Sequence, residues 1–198
     1  MAKFHNSVVN ENVPRTGNAV TRWLGQSVLN ILGWTIIGEL PQAKKLVYIG
    51  CPHTSNWDGI LAVSTMQALG VRSNWMMKKA MFVWPFGLVF KRLGGIPIER
   101  KAAKDIPTQM AEWFDSQDQA YLGLTPEGTR SKVTKYKTGY LRIAQAANVP
   151  VFLVAIDGPN KQIILDRVWD LTGDIKADNA AIKAHYDAHY KGIRPELS

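Results

Sequence analysis

Cys51-Pro52-His53-Thr54-Ser55-Asn56-Trp57-Asp58-Gly59 is the stretch around which the rest of the sequence can be read. Before it, Leu46-Val47-Tyr48-Ile49 is a short apolar run of buried-strand type. After it, apolar positions 60, 61, 63, 66 and 69 predict a helix over Ile60 to Leu69. The nonapeptide therefore lies on a strand-to-helix turn, where polar side chains stand clear of a sheet. Thr54, Ser55, Asn56 and Asp58 are all residue types that can cap the new helix. A histidine five positions before an aspartate across such a turn can offer one ring nitrogen to the carboxylate and the other to a cleft. That is a general base with its orienting partner. Imidazole, with an ordinary pKa of about 6.5, suits removal of a proton from a hydroxyl near neutral pH. The competing reading is a turn-filling histidine followed by an acidic residue that favours the helix start.

At 198 residues the chain has the length of one well-cored domain. Its 24 Lys and Arg against 16 Asp and Glu give a net charge of +8, and 46% hydrophobic content marks a globular protein with a basic surface. Anionic partners follow: phosphate groups, nucleic acid or an acidic lipid surface. The single cysteine, Cys51, excludes an intramolecular disulfide framework and suits a reducing compartment. Beside His53 it is open to a nucleophile reading, or to the commoner one of a small buried residue. The first 18 residues lack the apolar core of a secretory signal and read as a loose polar arm, 1–18, with one domain over 19–198.

Along the chain, Val20, Trp23, Leu24, Val28, Ile31 and Leu32 recur at helical spacing within 19–37. The stretch reads either as a core-docking helix or as one lying in a membrane interface, with Trp23 and Trp34 at the headgroups. A strand is predicted at Asn74 to Met77. It is followed by Ala80 to Phe90, very apolar and closed by Lys91-Arg92. From 72 to 104 the basic residues Arg72, Lys78, Lys79, Lys91, Arg92, Arg100, Lys101 and Lys104 face Glu99 as the sole acid. Basic groups flanking one contiguous apolar block suit an anionic bilayer better than a single-stranded nucleic acid, whose binders alternate aromatics with charges. If the block at 81–90 is not such a surface, it is core. Gly94 to Arg100 reads as a turn and a very short strand ending in a charge, followed by a helix over Ile106 to Phe114, a buried strand over Ala120 to Leu124, a helix over Tyr140 to Ala147 and a β-branched strand over Val149 to Ile156. Residues 162–171 read as a strand or hairpin arm and 176–190 as a closing helix, on which His185 and His189 lack a supporting third metal ligand. Strand and helix in alternation predict an α/β domain with a central, mostly parallel sheet flanked by helices.

Three polar clusters then fall at strand ends: His53 with Asp58, Arg100, and Glu127 with Arg130. Ligands collect at the carboxyl edge of such sheets. A base with two arginines there suits a hydroxyl to be deprotonated beside a phosphate to be held.

At this point the sequence resembles the glycerolipid acyltransferases related to 1-acyl-glycerol-3-phosphate (lysophosphatidic acid) acyltransferase. His53-Thr54-Ser55-Asn56-Trp57-Asp58 looks like the family's His-x4-Asp block, and Gly95-Ile96-Pro97-Ile98-Glu99-Arg100 is similar to the second. Pro126-Glu127-Gly128-Thr129-Arg130-Ser131 resembles the third, and Val149-Pro150-Val151 with its strand the fourth. The resemblance implies the glycerol-3-phosphate acyltransferase-like fold and transfer of a fatty acyl group from acyl-CoA or acyl-carrier protein to the hydroxyl of a lyso-lipid acceptor, with no metal or other cofactor. It implies His53 as base, Asp58 as its partner, Arg100 on the acceptor phosphate, and Glu127, Gly128, Thr129 and Arg130 about the acceptor, Arg130 as a second phosphate ligand. Attack on the thioester carbonyl builds an oxyanion, which needs donors such as backbone N–H groups at the turn; the sequence does not name them. Pro97 and Thr125 depart from the pattern and leave the acceptor's head group open. Expected partners are the thioester donor, the lyso-lipid and an anionic membrane surface, with no nucleic acid; the expected place is cytoplasmic, peripheral on the inner face of the cell membrane. A non-catalytic lipid binder of the same fold and a hydrolase using the same base on water are the rival readings.

Overall fold

The computed structural model describes residues 11–99 and 105–198. Seven strands form one sheet in the order β1-β7-β6-β2-β5-β3-β4. They are β1 (Thr35–Gly38), β2 (Lys45–Cys51), β3 (Ser73–Lys78), β4 (Gly95–Ile98), β5 (Ala120–Leu124), β6 (Val151–Asp157) and β7 (Gln162–Trp169). β6, β2, β5, β3 and β4 run parallel, so their carboxyl ends share one edge. β7 returns antiparallel to β6 and carries β1 parallel to itself.

The central strands are apolar on both sides because both faces are covered. All of β6 is buried, and in β2 Val47, Ile49 and Cys51 enter one core while Leu46 enters the other. The first core is closed by α4 (Ile106–Asp115), α5 (Gly139–Ala147) and α6 (Ile175–His189) through Met110, Phe114, Tyr140, Ile143, Ile182 and Tyr186. The second is closed by α1 (Ala19–Leu32) and α2 (Trp57–Leu69) through Leu29, Leu61 and Leu69. α1 crosses α2 at Gly25, where a Cβ would lie 2.6 Å from both Ala68 N and Ser64 O, so only a glycine admits this approach.

Two expectations are corrected. The apolar stretch 19–37 is not one helix. Gly33 takes a left-handed conformation (φ 74°) and ends α1, and the β-branched run Thr35-Ile36-Ile37 pairs with β7 instead. α1 is neither purely core nor purely interfacial: Leu29 is buried, whereas Val20, Trp23, Leu24 and Ile31 are exposed. Of the arm expected over 1–18, residues 11–18 are tied down: Val13 is fully buried, Thr16 N–H donates to Gly70 O, and Pro14 O accepts from Arg72 N–H. The block at 81–90, read as an exposed surface or else as core, is exposed. It forms a short 3-10 turn and α3 (Phe86–Arg92), with Met81, Val83, Trp84, Phe86, Leu88 and Val89 exposed, Trp84 to 84%. No helix among the described residues is long and apolar enough to cross a membrane.

Candidate active site

β2 ends at Cys51, and residues 52–56 turn the chain into α2, whose first turn holds Asp58. Asn56, at the helix N-cap, makes no side-chain capping bond; Ser55 Oγ accepts from Trp57 N–H instead, and the carboxylate of Asp58 reaches back over the turn. Its Oδ2 accepts from His53 Nδ1 at 2.9 Å and from the N–H groups of Thr54 and Ser55, both at 2.8 Å. Three converging donors fix that oxygen, and through it the ring. Asp58 is buried, while His53 keeps 21% of its side chain exposed. Nε2 has no partner within the described residues and is the nitrogen left for a substrate. With Nδ1–H donated to Asp58, Nε2 carries the lone pair that a base requires.

Glu127, for which the resemblance implies a place about the acceptor, bonds the turn that carries His53. It lies at the end of β5, beside β2, and its buried carboxylate accepts His53 N–H through Oε1 (2.9 Å) and Cys51 Sγ–H through Oε2 (3.6 Å). It therefore clamps the backbone on which the imidazole is mounted. Burial pushes its pKa up, and the hydrogen bond from His53 N–H works against that rise. The Cys51 thiol is fully buried, and burial first, then the Glu127 charge, raises its pKa well above the ordinary value. A thiol held protonated and donating to a carboxylate is a poor nucleophile; the nucleophile reading of Cys51 is dropped.

Gly128 has φ +62°, a conformation that glycine takes without strain, and Lys137 folds over it so closely that any Cβ would collide with its ammonium end. Thr129 accepts from Ser131 N–H through Oγ1 and shapes this loop. Arg130 lines a cavity of about 230 Å³ with the turn residues 54–56, Ser131, Arg194 and Leu197. A smaller space of about 20 Å³ lies beside it, with His53 and Glu127 in its wall and Ser131 and Leu197 shared between the two. Arg100 lies outside the described residues; β4, which leads to it, ends on the same sheet edge as β2 and β5.

Most backbone N–H groups of the turn are taken up by the chain itself. The N–H groups of residues 53, 54, 55, 57 and 58 are all engaged within the chain, leaving that of Asn56. Sequence reading also missed the segment after α6, which forms part of the cavity wall; Gly192 was its one local signal. His185 and His189 belong to a separate cluster on α6, where His185 Nε2 bonds Asp166 Oδ2 at 2.6 Å.

A buried aspartate locks an imidazole at a strand-to-helix turn, on the carboxyl edge of a mostly parallel sheet, and the family model named Acyltransferase matches residues 34–157. The chain belongs to the acyltransferase family. It is 28% identical over 164 residues to mouse 1-acyl-sn-glycerol-3-phosphate acyltransferase epsilon, covering 78% of this chain and 41% of that protein. Over 116 residues it is 28% identical to the Brassica napus chloroplastic 1-acyl-sn-glycerol-3-phosphate acyltransferase BAT2, covering 56% and 34%. The chain thus spans less than half the length of these curated relatives. The crystal structure of the 1-acyl-sn-glycerophosphate acyltransferase PlsC from Thermotoga maritima superposes with a TM-score of 0.57 at 16% identity, over 87% of this chain and 80% of that one, and shares its fold.

Proposed function

We propose that this chain is an O-acyltransferase that moves a fatty acyl group from an acyl thioester, acyl-CoA or acyl-carrier protein, to the free hydroxyl of a lysophospholipid such as 1-acyl-glycerol-3-phosphate. The observation that carries the reading is the imidazole of His53, held through Nδ1 by a triply bonded Asp58 and unpartnered at Nε2. Nε2 accepts the proton of the acceptor hydroxyl as its oxygen bonds to the thioester carbonyl carbon. Asp58 stabilises the imidazolium so formed. As the tetrahedral intermediate collapses, the C–S bond breaks and the departing thiolate receives that proton, leaving an ester and a free thiol. No group on the protein is acylated and no metal is required. Arg100, by resemblance, and Arg130, from the cavity wall, are the residues assigned to phosphate.

The exposed apolar residues Trp84, Phe86 and Leu88, between Lys78-Lys79 and Lys91-Arg92, support docking on an anionic membrane, where the lyso-lipid acceptor resides. The protein then works as a peripheral enzyme on the cytoplasmic face. Purified protein incubated with oleoyl-CoA and oleoyl-lysophosphatidic acid should release thiol and form phosphatidic acid in equal amounts. Release of free oleic acid in place of phosphatidic acid would mean that water is the acceptor, and absence of any thiol release would leave a lipid-binding protein.

A further inference from the structure

We infer that Arg194, on the segment that follows α6, holds a phosphate dianion of one of the substrates together with Arg130; the inference rests on the acyl-transfer reading and extends it to a residue outside the four sequence blocks. Two close approaches put it there. Gly158, just beyond β6, donates its N–H to Lys191 O at 2.7 Å, and a Cβ at Gly158 would lie 2.3 Å from Gly192 O. A Cβ at Gly192 would lie 2.5 Å from Thr54 Oγ1, and that hydroxyl accepts Arg194 N–H at 3.1 Å. The segment is therefore pinned to the residue next to His53, and Gly192 N–H is itself held by Ser198 Oγ at 2.8 Å.

The consequence is electrostatic. Arg130 and Arg194, from segments far apart in sequence, line the same cavity of about 230 Å³, and no ion pair among the described residues engages either guanidinium. Two arginines in the wall of one cavity raise its positive potential, which an anion placed between them would lower. Guanidinium groups offer paired N–H donors that match phosphate oxygens, and Ser131 in the same wall adds a hydroxyl. The volume is well above the about 10–15 Å³ that one water needs on the same measure, and it admits a phosphate. The cavity shares Ser131 and Leu197 with the space beside His53, so an anion there lies within one substrate's reach of the base.

The phosphate can be that of the acceptor or one on the donor's nucleotide, and steady-state kinetics separate them. Arg194→Ala keeps the backbone hydrogen bond to Thr54, so folding should persist, and thermal unfolding checks this. For Arg194→Ala, the KM of one substrate should rise about 10–100-fold with little change in kcat, and Arg194→Lys should recover part of the loss. A rise for oleoyl-lysophosphatidic acid assigns the acceptor phosphate; a rise for oleoyl-CoA, absent with oleoyl-pantetheine, assigns the donor. Unchanged KM values for both overturn the inference, as does an equal loss with lysophosphatidic acid and with monoacylglycerol when oleoyl-CoA and oleoyl-pantetheine are also equally affected. A second measurement does not depend on turnover: inorganic phosphate titrated into the wild-type protein should shift arginine side-chain N–H resonances, and the response should be lost in Arg194→Ala. If the wild type transfers no acyl group but this response is seen and lost, the enzyme reading fails and the anion site stands. An identical phosphate response in both proteins removes the site.

Discussion

His53, Asp58 and Glu127 divide the labour at the turn. Asp58 fixes the ring and Glu127 fixes the backbone that carries it, so the two carboxylates should respond differently to neutral replacement. In Asp58→Asn the acceptor of three donors loses its charge, and one amide oxygen cannot select the Nδ1–H tautomer as strongly. Transfer should fall about 10²–10⁴-fold. Because Asp58 is buried with those bonds, unfolding stability should drop by about 1–3 kcal/mol, measurable by denaturant titration. Glu127→Gln retains an oxygen for His53 N–H and should preserve the fold. The sign of its pH effect follows from burial: the native pKa is raised above the ordinary 4.5, so the native state binds more protons than the unfolded chain in the window above 4.5. Stability attributable to this group is full below that window and is lost as pH rises through the native value. Subtracting the Glu127→Gln profile from the wild-type profile should leave a difference that falls with rising pH; a difference that rises would contradict a buried, desolvated carboxylate.

At the level of elements, α1 and α2 form the platform that holds Asp58 in place. Gly25 allows their close crossing, and a methyl group there meets backbone atoms that cannot rotate away. Gly25→Ala gains about 0.5–1 kcal/mol of helix propensity, but overpacking costs about 1–3 kcal/mol, so a lower melting temperature is expected. A higher one would mean that the helices separate without cost. The elements also show what could be read from sequence alone. β2, β5 and β6 were legible because strands buried on both faces are apolar throughout, and α4 and α5 because one helical face is. The end of α1 was misread: apolar residues continue through Trp34 and Ile37, and periodicity alone does not separate a helix from the strand that follows it. The left-handed Gly33 is the local signal. His53 and Asp58 were legible since their contact spans one turn. Arg194 was not, because its place depends on how Gly158, Gly192 and Thr54 meet in the folded chain.

Over the whole molecule, the distribution of charge and exposed apolar surface is the feature that bears on where the protein works. Trp84, Phe86 and Leu88 are more than half exposed, and basic residues flank them on both sides. Replacing Lys78, Lys79, Lys91 and Arg92 together by Gln should weaken sedimentation with anionic vesicles, each charge contributing about 1 kcal/mol. Binding of the wild type should weaken as salt shortens the Debye length from about 10 Å at 0.1 M to about 3 Å at 1 M. Trp84→Ser should weaken binding without changing that salt dependence. Equal binding to neutral and anionic vesicles would point away from the basic flanks as the contact.

The central claim is that the Nε2 atom of His53 takes the acceptor's proton. Wild type and His53→Ala, matched by circular dichroism and melting temperature, should be compared for thiol release from oleoyl-CoA in the presence of lysophosphatidic acid. The account predicts release by the wild type and a loss of at least about 10²-fold in the variant; comparable rates in the two proteins would contradict it.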